Sequence, residues 1–168
     1  MTGAGKTTVG KILAERLNYE FSDLDLIITE KTGHTPSEIF SLYGEETFRK
    51  IETQKLEDIF SNPPDKLILS CGGGIAVKEE NRAALKKNSF VIWLFRPPGE
   101  ILKDKEVLAR PPIFGDFANY IKHFKEREPQ YAATCDLKIA CTEISPAVEN
   151  IIIAIKKGAN FHQNDNDK

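Results

Sequence analysis

The sequence predicts an α/β domain built on a mostly parallel sheet, and three observations carry that prediction. Helical and strand-like segments alternate along the whole chain. The apolar runs at 66–71 (KLILSC) and 89–95 (SFVIWLF) are continuous rather than alternating, as in central strands covered on both faces. No low-complexity linker or internal repeat interrupts the 168 residues, a length that suits one compact unit.

Each element has its own local reason. The chain opens on a glycine loop, Gly3-Ala4-Gly5-Lys6-Thr7, with Thr8 after it. Val9, Ile12, Leu13 and Leu17 fall at helical spacing, so a helix over 7–17 grows directly out of the loop. Tyr19-Glu20-Phe21 reads as a short strand ending at Asp23. Residues 35–43 and 45–60 read as helices, the first with Thr35 as N-cap, Pro36 at the first helical position and Glu38 three residues after the cap. A polar helix over 78–87 separates the two apolar strands. Residues 106–116 carry Arg110, two prolines and a glycine, the composition of a mobile lid spanning about 105–118. A helix over 117–132, a short strand over 136–141 and a closing helix over 145–157 complete the domain, expected to cover 1–158; residues 159–168 read as a disordered tail. A loop of this kind normally follows a buried apolar strand, and only Met1 and Thr2 precede Gly3, so the first strand is expected to be truncated and the sheet to lack a central member.

Composition narrows the function. Hydrophobic residues at 40% and charged residues at 29% are ordinary for a soluble globular chain, and no apolar run approaches the ~20 residues of a membrane helix. A net charge of −2 gives no general attraction for nucleic acid. Cys71, Cys135 and Cys141 match no metal-ligand spacing and read as free thiols in a reducing cytoplasm. No export signal opens the chain, and a monomer is expected.

Five constellations remain that composition does not explain. The glycine loop matches the last part of G-x-x-x-x-G-K-[ST]: Gly3 and Gly5 let backbone N–H groups approach phosphate oxygens, Lys6 reaches the outer phosphates and the Thr7 hydroxyl can ligate Mg²⁺. Asp23 and Asp25 lie two residues apart at a strand end, suited to a metal-bound water and to an acceptor hydroxyl, although paired acids in a turn are often only solvated. Arg49 and Glu52 share a helix face, so that the acid can aim the guanidinium at an anion or merely decorate the surface. Gly72-Gly73-Gly74 closes a buried strand and exposes backbone donors. Arg110 and Arg127 are two further arginines that could close over anionic groups.

In this order the motifs resemble the shikimate kinase family, which combines a loop ending in G-x-G-K-[ST], an F-x-D-x-D strand end, an F-R-x-x-E helix, a G-G-G turn, an R-P lid and an R-x-P-x-Y segment. Phe21 to Asp25, Phe48 to Glu52, Gly72 to Gly74, Arg110-Pro111 and Arg127 to Tyr131 supply the later ones. The resemblance implies a three-layer P-loop kinase fold and transfer of the γ-phosphoryl of ATP to the 3-hydroxyl of shikimate, a step toward chorismate and the aromatic amino acids. It implies that Gly3, Ala4, Gly5, Lys6, Thr7 and Thr8 hold ATP, with Mg²⁺ at Thr7 and Asp23. Asp25 would hold the acceptor hydroxyls and take the proton, while Arg49 and Arg127 would clamp the substrate carboxylate with Glu52 supporting Arg49. Gly72, Gly73 and Gly74 would line the substrate pocket, and Arg110 would swing in with the lid. Two departures stand out: Pro112 follows the first lid proline where an apolar residue is expected, and Lys103 and Lys105 offer no arginine for the adenine. Other readings of the residues are a gluconate or nucleoside monophosphate kinase, or a nucleotide-binding module impaired by a shortened start.

Overall fold

The computed structural model describes residues 3–101, 103 and 117–158. These form seven helices and four strands, labelled here in chain order. Helix α1 is Lys6–Leu17, followed by β1 (Glu20–Asp23), α2 (Leu24–Thr32), α3 (Pro36–Ser61) and β2 (Leu67–Ser70). Then come α4 (Glu79–Asn88), β3 (Ile92–Phe95), α5 (Pro98–Ile101), α6 (Phe117–Thr134), β4 (Leu137–Ala140) and α7 (Ile144–Gly158).

The strands pair in parallel, as their unbroken apolar character predicts, but as two separate couples: β1 with β2 and β3 with β4. The Lys66 carbonyl accepts from the Glu20 N–H at 2.9 Å, and the Phe95 carbonyl accepts from the Cys141 N–H at 2.7 Å. In a parallel ladder successive residues alternate sides, so the backbone groups of Leu67, Leu69, Ile92 and Leu94 point away from those partners. Among the described residues β2 and β3 do not pair with each other. Ser70 and Trp93 are buried and the other residues of β2 and β3 are half-buried, and among the described residues each of these strands pairs along one edge only.

Two apolar layers cover the strands. On one side Leu24, Ile28, Ile39, Phe48, Leu56 and Leu85 from α2, α3 and α4 pack with Trp93, Phe124 and Tyr131. On the other, Val9 and Leu13 of α1 meet Val148, Ile151 and Ile152 of α7, with Ile68, Ile92 and Leu94 beneath them. Full burial of a Leu or Ile stabilises by roughly 1.5–3 kcal/mol, so these layers dominate the favourable side of folding. Helix α1 lies very close to β1: a Cβ at Gly10 would come within 2.6 Å of the Phe21 ring.

Local sequence accounts for the helix ends. Thr35 and Glu38 form the predicted capping box, with Pro36 at the start of α3. The break expected between residues 43 and 45 is a kink inside α3 at Gly44, whose φ of 82° and ψ of 167° suit glycine alone. Helix α2 had no counterpart in the sequence reading, although Asp23 as N-cap and Gly33 at its other end mark it. Short helix α5 was likewise missed. The lid, with Arg110, and the tail lie outside the described residues.

Candidate functional site

The glycine loop meets the requirements of an anion site. Gly3 and Gly5 have φ of 79° and 82°, conformations that favour glycine. Gly5 is the N-cap of α1, yet no side chain caps that end and no acidic residue stands in its first turn, so the N–H groups and the positive end of the helix remain available to an anion. The loop nests against the far edge of the fold: a Cβ on Gly5 would lie 3.1 Å from Ile144 Cδ1 and 3.5 Å from Cys141 Sγ. Burial pushes the Lys6 ammonium below the usual lysine value, while the charges of Asp25 and Asp23 pull it back up. The two carboxylates thus help keep this buried ammonium charged.

Asp23 joins this loop to the second half of the site. Its Oδ2 accepts from the Thr7 hydroxyl at 2.9 Å, and its Oδ1 accepts from the Asp25 N–H at 3.1 Å as the cap of α2. Asp25 thus sits in the first turn of a helix rather than in a loop, which fixes its backbone. Burial, reinforced by Asp23, pushes its carboxyl above the usual aspartate range, and the charges of Lys6 and Arg49 act against that rise.

The glycine turn forms the floor beneath the acids. A Cβ at Gly72 would lie 3.0 Å from Asp25 Oδ1 and 3.4 Å from Glu52 Oε1, and one at Gly74 would overlap the Arg49 guanidinium. The Tyr131 hydroxyl donates to the Gly73 carbonyl, tying α6 to this turn. Arg82 Nη1 donates to the carbonyls of Ala76 and Val77 at 2.9 and 3.0 Å, bracing the segment that follows.

Arg49 and Arg127 are both buried, at 4% and 7% exposure. Arg49 Nη1 donates to Glu52 Oε2 at 2.7 Å, and its guanidinium lies over the rings of Phe40 and Phe48, with centroids 5.4 and 5.1 Å away. Glu52 is fully buried; its Oε1 has no hydrogen-bond partner among the described residues, and burial raises its carboxyl above the usual glutamate range. A residue absent from the sequence reading completes the group. Glu45 Oε1 accepts from Arg49 Nε at 3.2 Å and Nη2 at 3.1 Å, and lies 3.9 Å from Arg127 Nη2. One carboxylate oxygen therefore sits where two buried guanidinium groups converge.

Of the candidate site residues, all but Arg110 fall within the described residues, and contacts or charge interactions link Lys6, Thr7, Asp23, Asp25, Arg49, Glu52, Gly72, Gly74 and Arg127. Glu45 and Arg82 have no counterpart in the sequence reading, and Tyr131 enters it only as the end of the R-x-P-x-Y segment, without a role. Glu45 carried a readable signal, since it stands four residues before Arg49 on the same helix. Cys71 lies under the acids: burial, with Glu52 and Asp25 nearby, pushes its thiol up to about 12, so it contributes packing rather than a nucleophile. Among the described residues no group of three His, Cys, Asp or Glu side chains could enclose a metal ion.

Comparison with known proteins gives a consistent result. The sequence model of the shikimate kinase family matches residues 2–156. A shikimate kinase of Clostridium botulinum (strain Eklund 17B / Type B) is 36% identical over 157 residues, covering 94% of this chain and 92% of that protein. One from Synechococcus elongatus is 39% identical over 142 residues, 83% of this chain and 73% of that protein. Among solved structures, shikimate kinase from Acinetobacter baumannii in complex with shikimate superposes with a TM-score of 0.84 at 32% identity, over 93% of this chain and 89% of that one.

Proposed function

The chain belongs to the shikimate kinase family, with its P-loop kinase fold and its ATP-dependent phosphorylation of shikimate, and from that premise we propose how its residues divide the work. Family membership sets aside the gluconate and nucleoside monophosphate readings. Gly3, Ala4, Gly5, Lys6, Thr7 and Thr8 cradle the phosphates of ATP, and Lys6 stabilises the charge that builds on the transferring γ-phosphoryl. Asp25 takes the proton from the 3-hydroxyl as its oxygen bonds to phosphorus and ADP departs. A raised carboxyl value suits that task, because the base must both release its proton near neutrality and accept one in the transition state. Arg49 and Arg127 hold the carboxylate of shikimate, Glu52 steadies Arg49, and Gly72, Gly73 and Gly74 let the substrate approach the backbone. Arg110 is assigned to the lid over the phosphates.

Mg²⁺ fits this site on the chemistry of its donors. The Thr7 hydroxyl and the Asp23 carboxylate are hard oxygen groups already in contact at 2.9 Å, and a Mg²⁺ site of this class takes one or two protein oxygens and completes itself with phosphate and water. When bound, the ion neutralises charge on the phosphates. We further read the protein as one domain over 1–158 with a lid at about 105–118 and a tail at 159–168. We read the protein as a monomer, and a cytoplasmic location fits the free thiols Cys71, Cys135 and Cys141.

The observation that carries the assignment is that Asp25 feels both Lys6 and Arg49, so the phosphate loop and the carboxylate clamp border the same acid. A coupled assay for ADP release tests it, with shikimate, gluconate and nucleoside monophosphates as acceptors. Shikimate is the acceptor turned over efficiently, and Arg49→Lys raises its KM by tenfold or more while the Kd for ATP holds. Unchanged shikimate kinetics in that variant would remove Arg49 from the clamp.

A further inference from the structure

Arg96 stands just beyond β3, and its side chain reaches back to the start of the chain, where Nη1 donates to the Gly3 carbonyl at 3.1 Å. It is half-buried, and its charge acts on the Glu100 carboxylate, the Tyr120 phenol and the Cys141 thiol. The guanidinium therefore bridges the end of β3 and the phosphate loop. None of the roles assigned above uses it.

The consequence follows from the geometry of one peptide plane. A trans peptide points its C=O and the next N–H to opposite sides, so a donor that fixes the Gly3 carbonyl also fixes the Ala4 N–H, turned away from Arg96. Gly3, at φ 79°, has more rotational freedom than any other residue type would have there. Were that plane to turn over, an electronegative carbonyl oxygen would face the anion site in place of an N–H. Arginine suits the task because it stays charged at every working pH, and its charge also adds to that of Lys6.

We propose that Arg96 is a positioning residue of the phosphate loop: by holding the Gly3 carbonyl outward, it sets the first peptide of the loop in the orientation that binds ATP. The proposal rests on the reading that this loop binds ATP, and it is tested without the acceptor reaction. The Kd of a fluorescent ATP analogue is measured for the parent, Arg96→Met and Arg96→Lys, together with KM for each substrate and kcat.

The loss of one charged hydrogen bond predicts that R96M raises Kd and KM for ATP about tenfold. KM for shikimate and kcat at saturating ATP stay within about twofold. R96K, whose ammonium can donate to the same carbonyl, recovers most of the ATP affinity. Unchanged ATP affinity in R96M overturns the proposal, as does a parallel rise of both KM values or a lysine variant no better than methionine. If R96M does not fold, Arg96→Gln takes its place: a loss confined to ATP supports the proposal, and an equal change for both substrates overturns it. A parent that binds the analogue but does not phosphorylate shikimate would strike the proposed function and leave this test standing.

Discussion

The Arg49 guanidinium packs so closely on Gly74 that a Cβ there would lie 2.0 Å from its Nη1. Because Arg49 is also held by Glu52, Glu45 and two phenylalanine rings, it has little room to retreat. Gly74→Ala must therefore move either the turn or the guanidinium. Misplacing a substrate-positioning group by about an ångström can cost on the order of a hundredfold, so KM for shikimate rises at least tenfold in steady-state assays. The Kd for ATP, set at the other end of the site, stays within twofold. A G74A enzyme with the parent's shikimate kinetics would show that Arg49 does not hold the substrate.

Asp23 has two duties that substitution can separate. One oxygen caps α2 and the other faces Thr7, the proposed Mg²⁺ partner. Asparagine caps a helix about as well as aspartate, whereas alanine loses about 1 kcal/mol. Denaturant unfolding accordingly finds Asp23→Asn close to the parent and Asp23→Ala weaker by about that amount. Both variants raise the Mg²⁺ concentration for half-maximal turnover, by about tenfold or more, because both lose the carboxylate. If D23N kept the parent's Mg²⁺ requirement, Asp23 would be a cap and nothing else.

Cys71 provides a check on the packing beneath the acids. With its thiol pushed up to about 12, almost none of it is thiolate at pH 8. Mass spectrometry after brief iodoacetamide treatment finds Cys71 unmodified in the folded protein, and all three cysteines modified in denaturant. Rapid native labelling at Cys71 would mean that the floor of the site is open to water.

How much of this the sequence disclosed depends on the range of each interaction. Thr35 and Glu38 lie three residues apart, and the capping box they form was legible in full. So was the glycine loop, whose backbone conformations are written into Gly3 and Gly5. Helix α2 is hidden when Asp23 and Asp25 are read for chemistry alone, although the same Asp23 side chain also marks a helix start. Interactions across long stretches of chain left no trace: the Tyr131 bond to Gly73, the approach of Arg127 to Glu45 and the reach of Arg96 to Gly3 exist only once the strands are paired. The half-burial of β2 and β3 needed coordinates, since an apolar run reads alike with one edge paired or two.

Asp25 brings stability and catalysis into conflict, and both sides can be measured. Burial and Asp23 outweigh Lys6 and Arg49, so the folded state holds the Asp25 proton more tightly than the unfolded chain does. As pH rises from the ordinary aspartate range toward the folded value, the unfolded chain ionises first. Stability contributed by this group therefore falls across that window and stays low above it. Asparagine cannot ionise, so Asp25→Asn is at least as stable as the parent at pH 7, and its advantage shrinks as pH falls from the raised folded value toward the ordinary aspartate range, below which it is gone. Glu52 is shifted in the same direction in part by the Asp25 charge, so removing that charge eases Glu52 as well and acts with the same sign. Catalysis shows the opposite sign. The base must be ionised, so the parent's kcat falls on acidification through a value above that of an ordinary aspartate, and D25N loses a factor of about 10²–10⁴. Thermal melts and pH–rate profiles on the same two proteins decide the matter. A D25N enzyme within tenfold of the parent's kcat would take the proton-accepting role from Asp25, and one that melted well below the parent at pH 7 would reverse the sign of its electrostatics.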